Sequence, residues 1–319
     1  MACPWARGPT GILDFLMNAV LIIDKPRGLT SHDVVNRVRR MLDERSVGHL
    51  GTLDPLATGV LPLVAGSLTR LAQFYTSSEK TYEGTIRFGF ATDTYDAEGV
   101  PTTPPAEVTL TTGQLGRFVP RFRGVIEQMP PPFSAKKIHG VPAYKLARKK
   151  KQVALKPVQV EIKDFEITSC LGAEASFHAH VSSGTYMRSV AHDLGRAVGC
   201  GAYLASLRRT RLAEFGLADA HTLEEVESAW QQGRPEEIFV HPRKLLPHLP
   251  SVTTTDETAA AIRTGRSVNL PEFSVARQVK VFWGQSELIA IVTRVAGTLF
   301  HPGIVLASGS ASRVDPVVW

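Results

Sequence analysis

An α+β fold is predicted by three features of this chain: β-branched and aromatic runs at period two, amphipathic helical stretches set among them, and a C-terminal part of short strands separated by turn residues. The 319 residues include 43% apolar and 21% charged residues, enough to bury one large core and a smaller one. Pro242, Pro247 and Pro250 accumulate near residues 241–251, where the boundary between the two is expected.

Residues 20–23 form a short apolar run stopped by Pro26 and Gly28, the pattern of a buried strand and a loop. Lys25 taken alone is a solvated lysine. Ser31 is then expected to cap a helix with Val34, Val35, Val38, Met41 and Leu42 on one face and Arg37, Arg39 and Arg40 turned away. Residues 60–64 are apolar enough for a second buried strand, and Ser67 is the expected cap of a helix carrying Leu68, Leu71, Ala72 and Tyr75. Residues 80–90 place Tyr82, Ile86, Phe88 and Phe90 on one strand face. Residues 92–99 are a polar turn whose acids lack a calcium-loop pattern. A helix begins near Thr112 with Leu115, Phe118 and Val119, strands follow over 158–167 and 175–181, and Val190, Leu194, Ala197 and Val198 make a helical face closed by Gly199. Short strands are expected over 279–283, 287–292 and 303–306.

Composition narrows the function classes. No apolar run approaches the ~20 residues that cross a bilayer, and Asp14 interrupts the N-terminal apolar stretch that a signal peptide would need. The three cysteines, Cys3, Cys170 and Cys200, lack metal-ligand spacing and suit a reducing compartment, so a cytoplasmic protein is expected. His178, His180 and His192 do not form a metal-ligand pattern, and no Gly-rich nucleotide loop is present. The net charge of +6 points to a polyanionic partner. Over residues 135–156 stand eight cations, Lys136, Lys137, Lys145, Arg148, Lys149, Lys150, Lys151 and Lys156, and no acid. Such a run binds a phosphate backbone with strongly salt-dependent affinity.

The most informative stretch is Gly48-His49-Leu50-Gly51-Thr52-Leu53-Asp54-Pro55-Leu56-Ala57-Thr58-Gly59-Val60-Leu61-Pro62. Its glycines and prolines favour turns and close approach, and Pro55 pushes Asp54 toward an extended backbone that presents its carboxylate. Taken alone, an acid before proline between apolar runs is most often a turn. The whole string, however, resembles the motif that carries the catalytic aspartate of the TruB family, the bacterial tRNA pseudouridine-55 synthases. Lys25, Pro26 and Gly28 match that family's first motif, which the resemblance implies serves structure, Lys80 and Tyr82 match its second, and Gly184-Thr185-Tyr186-Met187-Arg188 and Leu207-Arg208-Arg209-Thr210-Arg211 its later ones.

The resemblance implies a pseudouridine synthase fold with a mixed, largely antiparallel central sheet and flanking helices over residues 17–248. A small PUA-like β-barrel would follow over 249–319, and residues 1–16 would be a disordered extension. It implies Asp54 as the group that acts at the ribose, Tyr82 as the residue that stacks on the target base and takes a proton, and Arg188 as the partner of Asp54. A guanidinium beside the carboxylate favours its ionised form, as a nucleophile requires. His49 would fill the gap left by a flipped base, and Tyr186 would pack beside that base. Lys25, Lys136, Arg148, Lys149, Lys150, Arg208 and Arg209 would bind RNA, the basic run as an insertion that closes over it. The implied partner is the tRNA T-arm, with no cofactor, no metal and no obligate protein partner; a monomer is expected because the sequence shows no obvious exposed dimer face. Two other classes remain open on the residues: an RNA-folding protein that keeps its role without Asp54, and a guide-dependent relative that fails on bare tRNA.

Overall fold

The computed structural model describes residues 18–133, 137–138, 141–142 and 156–306. The expected N-terminal extension, and Lys136, Lys145, Arg148, Lys149, Lys150 and Lys151 of the basic run, lie outside the described residues. The strands are β1 (Ala19–Lys25), β2 (Val47–His49), β3 (Thr58–Ala65), β4 (Lys80–Phe88), β5 (Gly124–Gln128), β6 (Lys137–Ile138), β7 (Val141–Pro142), β8 (Val158–Leu171), β9 (Glu174–Val181), β10 (Ala202–Leu212), β11 (Phe215–Gly216), β12 (Ser251–Thr254), β13 (Val268–Asn269), β14 (Gln278–Trp283), β15 (Glu287–Ala296) and β16 (Leu299–Val305).

Nine of them form one sheet in the order β1-β3-β10-β4-β9-β8-β5, with β2 paired to β3 and β11 to β10. Every pairing in it is antiparallel except β3 with β10, which is the mixed, largely antiparallel sheet expected. The near-continuous apolar run of β1 has a simple cause: the strand is buried on both faces. Leu21 and Ile23 enter one core with Val34, Val38, Tyr82 and Phe177, whereas Val20 and Ile22 enter a second with Tyr75, Phe215 and Phe282.

Phe282, Leu288, Ile291 and Ile304 of that second core come from the C-terminal sheet, whose order is β12-β14-β15-β16-β13. The C-terminal part therefore packs directly against the back of β1 and β3. Its strands make an open, half-barrel arrangement: no ladder joins β12 to β13 among the described residues, and the Asp256–Arg263 helix contributes Ala259 and Ile262 to the core beneath it.

Two helix starts differ from expectation. The Ser31–Leu42 helix is capped by Thr30, whose hydroxyl accepts from the Asp33 amide while the Asp33 carboxylate accepts from the Thr30 amide. The Ser31 hydroxyl is used elsewhere. It donates to the Leu53 carbonyl at 3.0 Å and accepts from the Leu53 amide at 2.8 Å, fastening the loop that carries Asp54. Ser67 does not stand at the cap position: it lies inside the Gly66–Leu71 3-10 turn, whose cap is Ala65, and it donates to Asn18.

Gly59, at the start of β3, has φ +97°, and a Cβ built there would stand 2.2 Å from the Arg209 carbonyl oxygen. This is where β3 and β10 run in parallel, with Gly59 opposite Arg209. Gly59→Ala combines left-handed backbone strain with a backbone clash, so it is expected to destabilise the fold by about 3 kcal/mol or more. A thermal midpoint equal to that of the parent protein would contradict this account of the glycine.

Candidate active site

The loop between β2 and β3 points its carbonyl oxygens inward, away from water, and each inward carbonyl needs a donor. Two long cations supply donors to the loop's Gly51, Thr52 and Pro55 carbonyls and to others that lie beside it in space. Arg209 on β10 is fully buried, and its guanidinium donates to the carbonyls of Val60 at 2.8 Å, Gly51 at 2.9 Å and Thr52 at 3.2 Å. Lys25, at the end of β1, is also fully buried, and its Nζ donates to the carbonyls of Leu29 at 2.7 Å, Pro26 at 2.9 Å and Pro55 at 3.4 Å.

Their burial corrects the placement of both residues among RNA contacts and of Lys25 alone as solvated, and for Lys25 it agrees with the structural role that the first motif implies. Neither reaches the surface; they hold the backbone that presents Asp54. Burial has an electrostatic consequence. It brings the Lys25 ammonium down to about 8, against the opposing pull of Asp54 and Glu98. It also lowers Arg209, whose charge is favoured in turn by the Tyr82 hydroxyl that its guanidinium meets.

The Asp54 carboxylate emerges from this frame 43% exposed, while the arginine that meets it is buried. Arg188 Nη2 lies 2.9 Å from Asp54 Oδ2. The other terminal nitrogen of Arg188 faces the loop over residues 92–99, donating to the Thr94 carbonyl at 3.2 Å and lying 3.6 Å from Asp96 Oδ2. Asp96 is 5% exposed and accepts from the Thr94 hydroxyl at 2.6 Å and the Glu98 amide at 3.1 Å. One guanidinium is thus held between a buried carboxylate and an open one. Taking a charge out of water demands such pairing, and here it leaves Asp54 as the member that faces outward. The sequence reading took residues 92–99 as a polar turn and missed Asp96.

Arg188 is placed by the first turn of the Met187–Val198 helix, and the chain entering that helix is clamped from β5. Tyr186 donates its amide to Gln128 Oε1 at 2.8 Å and accepts from Gln128 Nε2 at 3.1 Å; Ser189 donates to the Met129 carbonyl at 2.7 Å. Gln128 is 2% exposed, and it too went unnoticed in the sequence. Tyr186 itself is half-buried beside Arg188, and Tyr82 is buried with its hydroxyl toward Arg209. Arg208 forms a two-pronged pair with Asp24 at 2.7 and 3.0 Å and keeps 40% of its side chain exposed, so it stays on the rim of the site.

His49 ends β2 with its ring half-buried, and its imidazole is pushed down by burial, then by Arg209 and His32. Because the folded imidazole binds protons less readily than the unfolded one, the stability linked to it is present above the ordinary histidine range and is lost as pH falls through it. At neutral pH the ring is uncharged. A role through shape alone then requires that His49→Phe keep its turnover and pH profile between about pH 6.5 and 8.5, whereas His49→Ala lowers turnover. A Phe variant as impaired as the Ala variant would contradict the shape role. No group of three or more metal-ligating side chains occurs among the described residues.

Family models match residues 39–187 as the TruB family pseudouridylate synthase N-terminal domain and residues 188–250 as the tRNA pseudouridylate synthase B C-terminal domain. The tRNA pseudouridine synthase B of Solibacter usitatus is 50% identical over 293 residues, covering 91% of this chain and 100% of that relative. The chain belongs to the TruB family. The TruB-family relative from Aquifex aeolicus, also named tRNA pseudouridine synthase B, is 41% identical over 285 residues, 89% of this chain and 98% of its own length. A chain in the structure of an H/ACA RNP bound to a substrate RNA containing 2′-deoxyuridine aligns with TM-score 0.67 at 23% identity, over 92% of this chain and 86% of that one. A chain of the archaeal box H/ACA sRNP Nop10-Cbf5 complex gives 0.66 at 23% identity, over 97% and 92%. At this identity these structures establish the fold alone. The junction of the two TruB models falls between Met187 and Arg188, so the paired Asp54 and Arg188 come one from each, within a single sheet that interleaves β10 between β3 and β4.

Proposed function

We propose that this chain isomerises uridine 55 in the T-arm of tRNA to pseudouridine, acting on the RNA alone as a monomer. The observation that supports this most is the open Asp54 carboxylate held at 2.9 Å by a buried arginine. The reaction breaks the bond between the uracil nitrogen and ribose C1′, turns the detached base and rejoins it through C5, with loss of the C5 proton. Asp54 attacks C1′ as the C1′–N1 bond breaks, or takes the C2′ proton as the uracil anion leaves and a glycal forms; either route begins with an ionised carboxylate beside the sugar. Arg188, 2.9 Å away, holds the Asp54 carboxylate in place and aims it. Uridine must leave its stack to reach Asp54, and His49 fills the place it vacates. Tyr82 and Tyr186 form the floor on which the free base turns, and Tyr82 takes the C5 proton. The chemistry requires no redox group and no metal.

Residues 17–248 act as the catalytic unit and residues 249–319 as an RNA-binding module, with the cations of the run over 135–156 binding the phosphate backbone. Neutralising Lys149, Lys150 and Lys151 together should weaken tRNA binding and reduce the steepness of log K against log salt by about 2–3. An unchanged slope, measured by filter binding over a salt series, would contradict a phosphate role for these lysines.

Mapping pseudouridine after incubation of an unmodified tRNA transcript with the pure protein tests the whole reading. A single modified position, 55, is expected. Modification at another position, or none without an added guide RNA, would overturn the specificity or the guide-independence proposed.

A further inference from the structure

Tyr95 has a backbone φ of +65°, in the left-handed region that a bulky aromatic residue rarely adopts. Such strain persists only where surrounding structure holds it, and it gathers at functional sites. Three contacts hold it here, the first being the Tyr95 amide, which donates to the Thr92 carbonyl at 3.3 Å. The Tyr95 carbonyl accepts from the Leu204 amide at 3.0 Å, and the Tyr95 ring stacks on His192, with centroids 3.8 Å apart and planes 13° from parallel. Among the described residues His192 Nδ1 has no hydrogen-bond partner, so the stack is the contact that orients this face of the imidazole.

The position of this pair gives the strain a purpose. Tyr95 lies between Thr94, whose carbonyl accepts from Arg188, and Asp96, whose carboxylate lies 3.6 Å from Arg188. The unusual φ turns the chain so that both neighbours face the same guanidinium. His192 lies one helical turn after Arg188 in the Met187–Val198 helix, on the same face. The stack therefore ties the loop that holds Arg188 to the helix that carries it.

We infer that the Tyr95–His192 stack is a positioning pair, which sets the Arg188 guanidinium and, through it, the Asp54 carboxylate. Neither ring is assigned contact with the reacting atoms. The inference rests on the proposed uridine isomerisation, because it acts on the pair that performs it. Loosening the stack shifts Arg188 without removing any group that binds RNA, so the loss falls on the chemical step.

The test uses the full-length protein and tRNA carrying tritium at uridine C5. Tyr95→Asn keeps a residue that tolerates a positive φ and removes the ring, and His192→Ala removes the other half of the stack. Both are expected to lower kcat by about 10- to 100-fold with KM for tRNA within about twofold. His192→Phe, which restores an aromatic face, should recover kcat to within about threefold of the parent. Variants with parental kcat, or a Phe variant no better than Ala, would overturn the inference, as would a loss confined to KM. A parent protein that releases no tritium would overturn the isomerase reading itself, and this one with it.

Discussion

Asp54→Asn leaves tRNA bound and turnover abolished. Asparagine keeps the size of the side chain and an oxygen for Arg188 Nη2, which lies 2.9 Å from Asp54 Oδ2. It cannot carry the negative charge that the ribose centre requires. The Asp54 side chain is 43% exposed, so the substitution removes no core contact and leaves the loop on its buried cations. The fall in kcat should be on the order of 10⁴-fold or more, as for other nucleophiles and their charged partners, with tRNA affinity changed by no more than a few-fold. A variant that turns over normally would remove Asp54 from the chemistry; one that no longer binds tRNA would make it a binding residue.

Arg209→Met has the largest expected effect on the fold. Methionine replaces most of the apolar stem but leaves the carbonyls of Gly51, Thr52 and Val60 without their donor inside the protein. Each unpaired buried group costs about 1–3 kcal/mol, so a loss of about 3–5 kcal/mol is expected. Turnover should fall as well, since Asp54 sits on the loop so released. Arg209→Lys should rescue little: an ammonium lacks the planar fork that reaches three carbonyls at once. Denaturant unfolding measures the first effect. If the variant is as stable as the parent and instead loses tRNA affinity with a shallower salt dependence, Arg209 is an RNA contact and the scaffold role is overturned.

Arg209 and Lys25 also show where a sequence stops being legible. The strands were readable because burial on one face or both leaves a local trace, as in residues 20–23 and 80–90, and the helix ending at Gly199 was readable from its apolar spacing. The Asp54–Arg188 pairing was readable only through the resemblance of whole motifs, since 134 positions separate the two residues and spacing alone says nothing of their meeting. A cation's burial depends on carbonyls that other segments bring to it. Lys25 meets Pro55 from 30 positions away, and Arg209 meets Gly51 from 158 positions away. Asp96 was lost for the same reason, because its partner Arg188 comes from another element. The choice of Thr30 over Ser31 as helix cap turned on the Asp33 carboxylate completing a capping box, and on a second use for Ser31 at Leu53. That second use had no local signal. The open C-terminal sheet has a comparable origin: Phe282, Leu288, Ile291 and Ile304 face the back of β1 and β3.

Asp54, aimed by Arg188, is proposed to detach and reattach the uracil of tRNA without a guide or cofactor. Tritium release from tRNA labelled at uridine C5 tests it most directly, because C5 must lose its hydrogen when it becomes the glycosidic carbon. Stoichiometric release is expected from the pure parent protein and none from Asp54→Asn at equal tRNA occupancy. Release by the variant at the parental rate, or no release by a parent protein that binds the tRNA tightly, would contradict it.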